Sequence, residues 1–155
     1  MRAAITRLNQ AAAEAVTPLQ DVLLLGLRLY VAWQFLKSGL LKLEDWDTTL
    51  ALFQDEYRVP LLAPPLAAVA GAAGETIFPL LLIAGLVTRY AALGLSLVNV
   101  MAVVSYAHVL LTEGFEAALG QHYLWGTILL VLIAFGGGRL AVDAWLASQR
   151  VSRRL

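Results

Sequence analysis

Residues 22–43 read VLLLGLRLYVAWQFLKSGLLKL, and the fold follows from what this stretch is. It is long and apolar enough to cross a bilayer, which takes about 20 mostly apolar residues. It also carries Arg28 and Lys37 inside the run. A charge at membrane depth is costly, so it faces a partner or a wet cavity. On a helical wheel at about 100° per residue, Phe35, Gly39 and Lys42 fall within about 40° of Arg28. These residues form one stripe, expected to face the bundle. Lys37 falls about 180° away and is expected to reach up to the outer headgroups.

Composition points the same way. The chain has 155 residues, 60% hydrophobic and 14% charged, with a mean hydropathy of +0.75. A soluble domain is roughly 45–50% apolar and about 25% charged, so this is an integral membrane protein. The formal net charge is zero, which gives no reason to expect nucleic acid. With no cysteine, disulfides, thiolate metal sites and dithiol redox centres are excluded.

The expected fold is all-α: one membrane domain, 1–155, with four transmembrane helices at about 20–43, 64–86, 89–111 and 120–137. The Pro64–Pro65 pair suits a helix start, and Gly136-Gly137-Gly138 ends the fourth span. Residues 1–20 read as a short surface helix that Pro18 and the polar pair Gln20–Asp21 break from the first span. The first span lacks a small-residue cleavage site after it and reads as a retained helix. In the loop after it, residues 48–56 are expected to form a short interfacial helix capped by Asp47. The tail 139–155 reads as amphipathic, with Leu140, Trp145 and Leu146 toward lipid and its arginines toward headgroups. Arg2, Arg7, Arg89, Arg139, Arg150, Arg153 and Arg154 fall on one side, against Lys42 and Arg58 on the other. The positive-inside rule then makes both termini cytoplasmic and the opposite face acidic.

Glu75, near the middle of the second span in GAAGETIFPLLLIAGL, is the expected partner of Arg28. Gly71 and Gly74 would let the helices approach closely. Such a pair is either packing glue or the floor of a functional pocket, and an unpaired Glu75 would be a proton carrier. Arg28, Glu75, Lys42 and Asn99 are thus the candidate buried polar pocket. Asn99 by itself reads as interhelical glue. A second cluster, Tyr57, Tyr106, His108, His122 and Trp125, with Trp33 nearby, gathers near the outer interface. It suits either a quinone headgroup site or an aromatic belt without a ligand. The two imidazoles suit a redox-linked proton role. Two histidines alone define no metal geometry, so haem or metal is not expected.

Several of these residues also carry a resemblance. The stripe from Arg28 to Lys42 is followed by Tyr57-Arg58-Val59-Pro60 and Glu75. Gly85-Leu86-Val87-Thr88-Arg89 and Gly136-Gly-Gly-Arg139-Leu-Ala-Val-Asp143 complete the order. The chain resembles the DoxX family of small bacterial membrane proteins over nearly its whole length. The usual family ending is Gly-Pro-Gly-Arg-x-Ser-x-Asp; Gly137 and Ala141 replace the Pro and Ser, which weakens any role tied to that Ser. The resemblance implies a four-helix bundle in the bacterial inner membrane. It also implies association with membrane oxidoreductases, such as a thiosulfate:quinone oxidoreductase, or with thiol and oxidative-stress handling. The functional expectation is a subunit of a quinone-linked oxidoreductase or redox-stress system, without a cofactor motif or assigned catalytic residue of its own. Its partners would be the bilayer and either a protein of that complex or further copies of itself. The alternatives are a non-enzymatic anchor for a periplasmic partner and a small-solute or proton transporter.

Overall fold

The computed structural model describes residues 2–152. They form helices α1 (Arg2–Glu44), α2 (Trp46–Asp55), α3 (Pro64–Ala84), α4 (Thr88–Ser105), α5 (Ala107–Leu110), α6 (Glu116–Phe135) and α7 (Val142–Ser152). Four segments are long and apolar enough to span a bilayer: Ala15–Glu44, Pro64–Ala84, Thr88–Ser105 and Glu116–Phe135. The protein is therefore an all-helical membrane protein, as the hydropathy implied.

Three local expectations are corrected. α1 runs unbroken through Pro18 for 43 residues. A proline removes one backbone bond, but the Ala-rich turns before it and the apolar span after it both favour helix. The cap of α2 is Asp45 rather than Asp47: its carboxylate accepts from Thr48 N at 3.0 Å and from Thr48 Oγ1 at 2.7 Å. The third span ends at Ser105, and one further turn, α5, follows the break at Tyr106. In α7, Trp145 and Leu146 are exposed as expected, as is Leu140 just before it. The side chain of Arg150 and all of Arg153 and Arg154 lie outside the described residues.

α1 and α3 run antiparallel and in close contact. A Cβ on Gly39 would lie 2.7 Å from the Glu75 carbonyl oxygen, so only glycine lets the backbones meet here. Eleven residues earlier on α1, Arg28 reaches Gly85 at the end of α3. These two contacts fix the register. The core then fills with Val31, Ala32 and Phe35 of α1, Leu82 of α3, Ala91, Ala92 and Leu95 of α4, and Ile128, Leu129 and Leu132 of α6. α2 folds back on α3, burying Phe53 against Ala67 and Ala68. It is thus packed into the bundle, not merely laid on the membrane surface. Arg58 N donates to Ser105 O at 2.9 Å, tying the loop after α2 to the end of α4. One end of the bundle carries the α7 tail; the other carries α2 and α5.

Candidate functional site

The wheel picked the right face of α1 but the wrong contact for Arg28. Arg28 is 1% exposed and Phe35 is 4% exposed, while Lys37 lies on the exposed side. Yet Arg28 meets no carboxylate of α3. Its Nη1 donates to Gly137 O at 2.9 Å and its Nη2 to Leu140 O at 3.0 Å. The reason is register. Arg28 lies level with Gly85, and Glu75 is ten residues up α3, about 15 Å away at ~1.5 Å rise per residue. A guanidinium cannot cover that gap.

Around Arg28 the two connecting segments at the tail end of the bundle are drawn together. Asp21, about two turns below on α1, accepts from Arg139 N at 2.9 Å and Arg139 Nε at 2.6 Å. Asp143 accepts from Val87 N at 2.7 Å and Thr88 N at 2.8 Å, and its own N–H donates to Gly85 O at 2.9 Å. Val87 has φ of +44°, an uncommon conformation for a β-branched residue. The Asp143 carboxylate holds the chain in that conformation and caps α4. Burial pushes the Asp143 carboxyl up, but contacts with Thr88 and Val87 and the charge of Arg28 outweigh it and hold it below the usual range. A folded-state pKa that is depressed gives stability present above the ordinary value near 3.8 and lost as pH falls through the lower folded value. Acid titration should show this: the stability gap between wild type and Asp143→Asn should be constant at neutral pH and shrink below about pH 4. A gap that does not change with pH would contradict this role.

Beside this latch opens a cleft of about 510 Å³ whose lining includes Asp21, Arg89, Tyr90, Phe135, Arg139 and Asp143. In the sequence its two loops stand as separate motifs, Gly85–Arg89 and Gly136–Asp143, with nothing that joins them.

The partner of Glu75 is Lys42. Lys42 Nζ lies 2.6 Å from Glu75 Oε2, with side chains only 16% and 11% exposed. Lys42 also donates to Ser38 Oγ at 3.0 Å, and Lys42 O accepts from Thr49 Oγ1 at 3.0 Å, so α2 rests on the same turn. An aromatic wall stands beside it. Phe53, Tyr57, Tyr106 and His108 follow one another edge to face, with ring centroids 4.9, 5.4 and 5.5 Å apart. Tyr106 Oη donates to Glu56 Oε2 at 3.4 Å. Burial, then the charge of Glu75, pushes the Tyr57 hydroxyl up, which holds it protonated and able to donate.

His122 and Trp125 form a second group with Phe35 and Asn99. Trp125 meets His122 at 5.0 Å and Phe35 at 5.3 Å between centroids. Asn99 Nδ2 donates to His122 O at 3.0 Å, which leaves Asn99 Oδ1 facing His122 Nδ1 at 2.8 Å. An amide oxygen only accepts, so the neutral ring carries its proton on Nδ1 and presents an acceptor at Nε2. Asn99 is thus glue with a second effect: it sets the tautomer. Of the candidate residues, Lys42 and Glu75 come together, as do Tyr57, Tyr106 and His108, and Asn99, His122 and Trp125. Arg28 stands apart. Among the described residues no group of three His, Cys, Asp or Glu is placed to hold a metal ion.

These features define a small membrane bundle with a latched end and a buried ion pair in its opposite half. The chain belongs to the DoxX family, whose model matches residues 23–108. An uncharacterized protein of Haemophilus influenzae is 33% identical over 129 residues, covering 79% of this chain and 82% of that protein. No solved structure matches.

Proposed function

We propose that this DoxX-family protein is an inner-membrane subunit of a quinone-linked oxidoreductase or redox-stress system, with both termini cytoplasmic. The observation that carries the site is the Lys42–Glu75 pair at 2.6 Å beside Tyr57 and Phe53. A quinone headgroup needs a flat apolar slot and a few polar groups. Lys42 supplies a donor for a carbonyl oxygen, Glu75 an acceptor for a hydroxyl, and Tyr57 a hydroxyl that does either. A bound quinone would supply two-electron, two-proton redox chemistry. The chain's part is to bind and orient the headgroup, with Glu75 the acceptor and Lys42 the charge that holds Glu75. The arginine-rich side that includes Arg89 and Arg139 supports the cytoplasmic assignment of the termini.

Titration of the purified protein with a short-chain ubiquinone analogue, followed by tryptophan fluorescence, tests the site. Saturable quenching is expected, with affinity reduced about tenfold or more in Glu75→Gln, as for loss of one charge-assisted hydrogen bond. Quenching that does not saturate, or equal affinity in the variant, would remove the site.

A further inference from the structure

The exposed face of α1 holds a polar pair that the bundle does not use. Lys37 Nζ donates to Gln34 Oε1 at 2.7 Å, on the side of the helix turned away from α3. Tyr30 and Trp33 lie below it, 44% and 56% exposed, and Leu40 and Leu41 lie above it, also exposed.

The depth of this pair is fixed by its neighbour. Gly39 packs against the Glu75 backbone. Glu75 is eleven residues along the 21-residue α3, about 16 Å from Pro64 at ~1.5 Å per residue. Lys37 therefore belongs to the apolar layer, not to its rim. Helical side chains lean toward the N-terminus, here away from the nearer end of α1. The Lys37 ammonium follows that lean: it rests on Gln34, one turn deeper. A lipid-facing ammonium at such a depth is expensive, and intramembrane charges almost always meet a counter-group.

Among the described residues, no carboxylate meets Lys37. Among the described residues, Asp21 is held by Arg139 and Glu75 by Lys42. Glu44 and Glu116 stand at helix ends, and Glu116 accepts from Gly114 N. A second copy fails as well. A two-fold axis along the membrane normal would set Lys37 against Lys37 at equal depth, and among the described residues the copy brings no unspent carboxylate there.

We propose that the Tyr30–Trp33–Gln34–Lys37 face of α1 docks a transmembrane helix of a different protein, one that presents a carboxylate at the depth of Lys37. Lys37 and Gln34 supply donors to that carboxylate, and Trp33 and Tyr30 supply flat contact area beside it. This goes beyond the quinone reading and does not rest on it, because the surface lies on the opposite side of α1 from Lys42 and Glu75.

The test uses synthetic polyleucine transmembrane peptides, one with a single mid-span Asp and one all leucine. Each carries a fluorescent acceptor, and the full-length protein carries the donor, in phosphatidylcholine vesicles. The Asp peptide should associate about tenfold more tightly than the leucine peptide, the scale of one interhelical polar contact. That preference should vanish in Lys37→Met and survive in Lys37→Arg. Equal association of the two peptides, or a preference unchanged in Lys37→Met, overturns the proposal. So does Lys37-dependent energy transfer between donor- and acceptor-labelled copies without peptide, which would make the occupant a second copy. Displacement of the Asp peptide by phosphatidylglycerol but not by phosphatidylcholine would make it a lipid and also overturns it.

Discussion

Replacing Arg28 with methionine should lower stability by about 3 kcal/mol, the loss of two charge-assisted hydrogen bonds in a buried site. For a chain of this length that is a fall in Tm of roughly 6–12 °C. The methionine fills part of the volume, so the effect comes from the orphaned carbonyls of Gly137 and Leu140 and from Asp143, which loses the attraction of the Arg28 charge. Lysine should rescue less than half. The two carbonyls are engaged by different nitrogens of a planar fork, and an ammonium is a single point of charge. The charge attraction between Arg28 and Asp143 makes a further demand. The double variant Arg28→Met with Asp143→Asn should be less destabilised than the two single variants added together, because each single change already removes the one shared attraction. Thermal unfolding in mild detergent reads all four proteins. An Arg28→Met protein that melts within about 1 °C of wild type would show that the latch does not hold the bundle.

The spans were legible because bilayer thickness leaves a long apolar run few alternatives. The same holds for the face of α1: helical periodicity alone put Arg28, Phe35, Gly39 and Lys42 on the buried side and Lys37 on the other. What periodicity does not carry is relative height between helices. The Arg28–Glu75 expectation rested on each residue's place within its own span. Register depends instead on the Gly39 contact and on how far the 136–141 segment folds into the bundle. Lys42, on the correct stripe one turn beyond Gly39, was nearer to Glu75 all along. Pro18 and Asp45 are smaller cases of one rule: a local signal marks a break or a cap, and the neighbouring residues decide which is used. The latch was visible only as two separate motifs, Gly85–Arg89 and Gly136–Asp143. Their meeting is a tertiary fact set by Asp143, whose carboxylate bonds to residues more than fifty positions away in sequence.

The Lys42–Glu75 pair admits a sharper experiment than loss of either partner. Lys42→Met alone and Glu75→Leu alone should each cost about 3–5 kcal/mol, because each leaves one charge buried without its partner. The double variant, apolar at both positions, should return to within about 1 kcal/mol of wild type, since two matched apolar side chains need no desolvation. If the pair were only packing glue, this restored protein would be indistinguishable from wild type in every assay. The quinone-site reading requires the opposite: a stable, folded double variant that no longer quenches saturably with the ubiquinone analogue. Stability and binding then separate in one protein. The single variants cannot do this, because each confounds a lost ligand contact with an unpaired charge. The geometry makes the separation feasible. Thr49 bonds to the Lys42 backbone carbonyl rather than to its ammonium, so removing the ammonium leaves this contact of α2 with α1 in place. Gly39 still holds α1 against α3 at the same height through backbone contact alone. A double variant that is both stable and fully able to bind the analogue would move the ligand site away from this pair. The acceptor at His122 Nε2, set by Asn99, would be the next position to test.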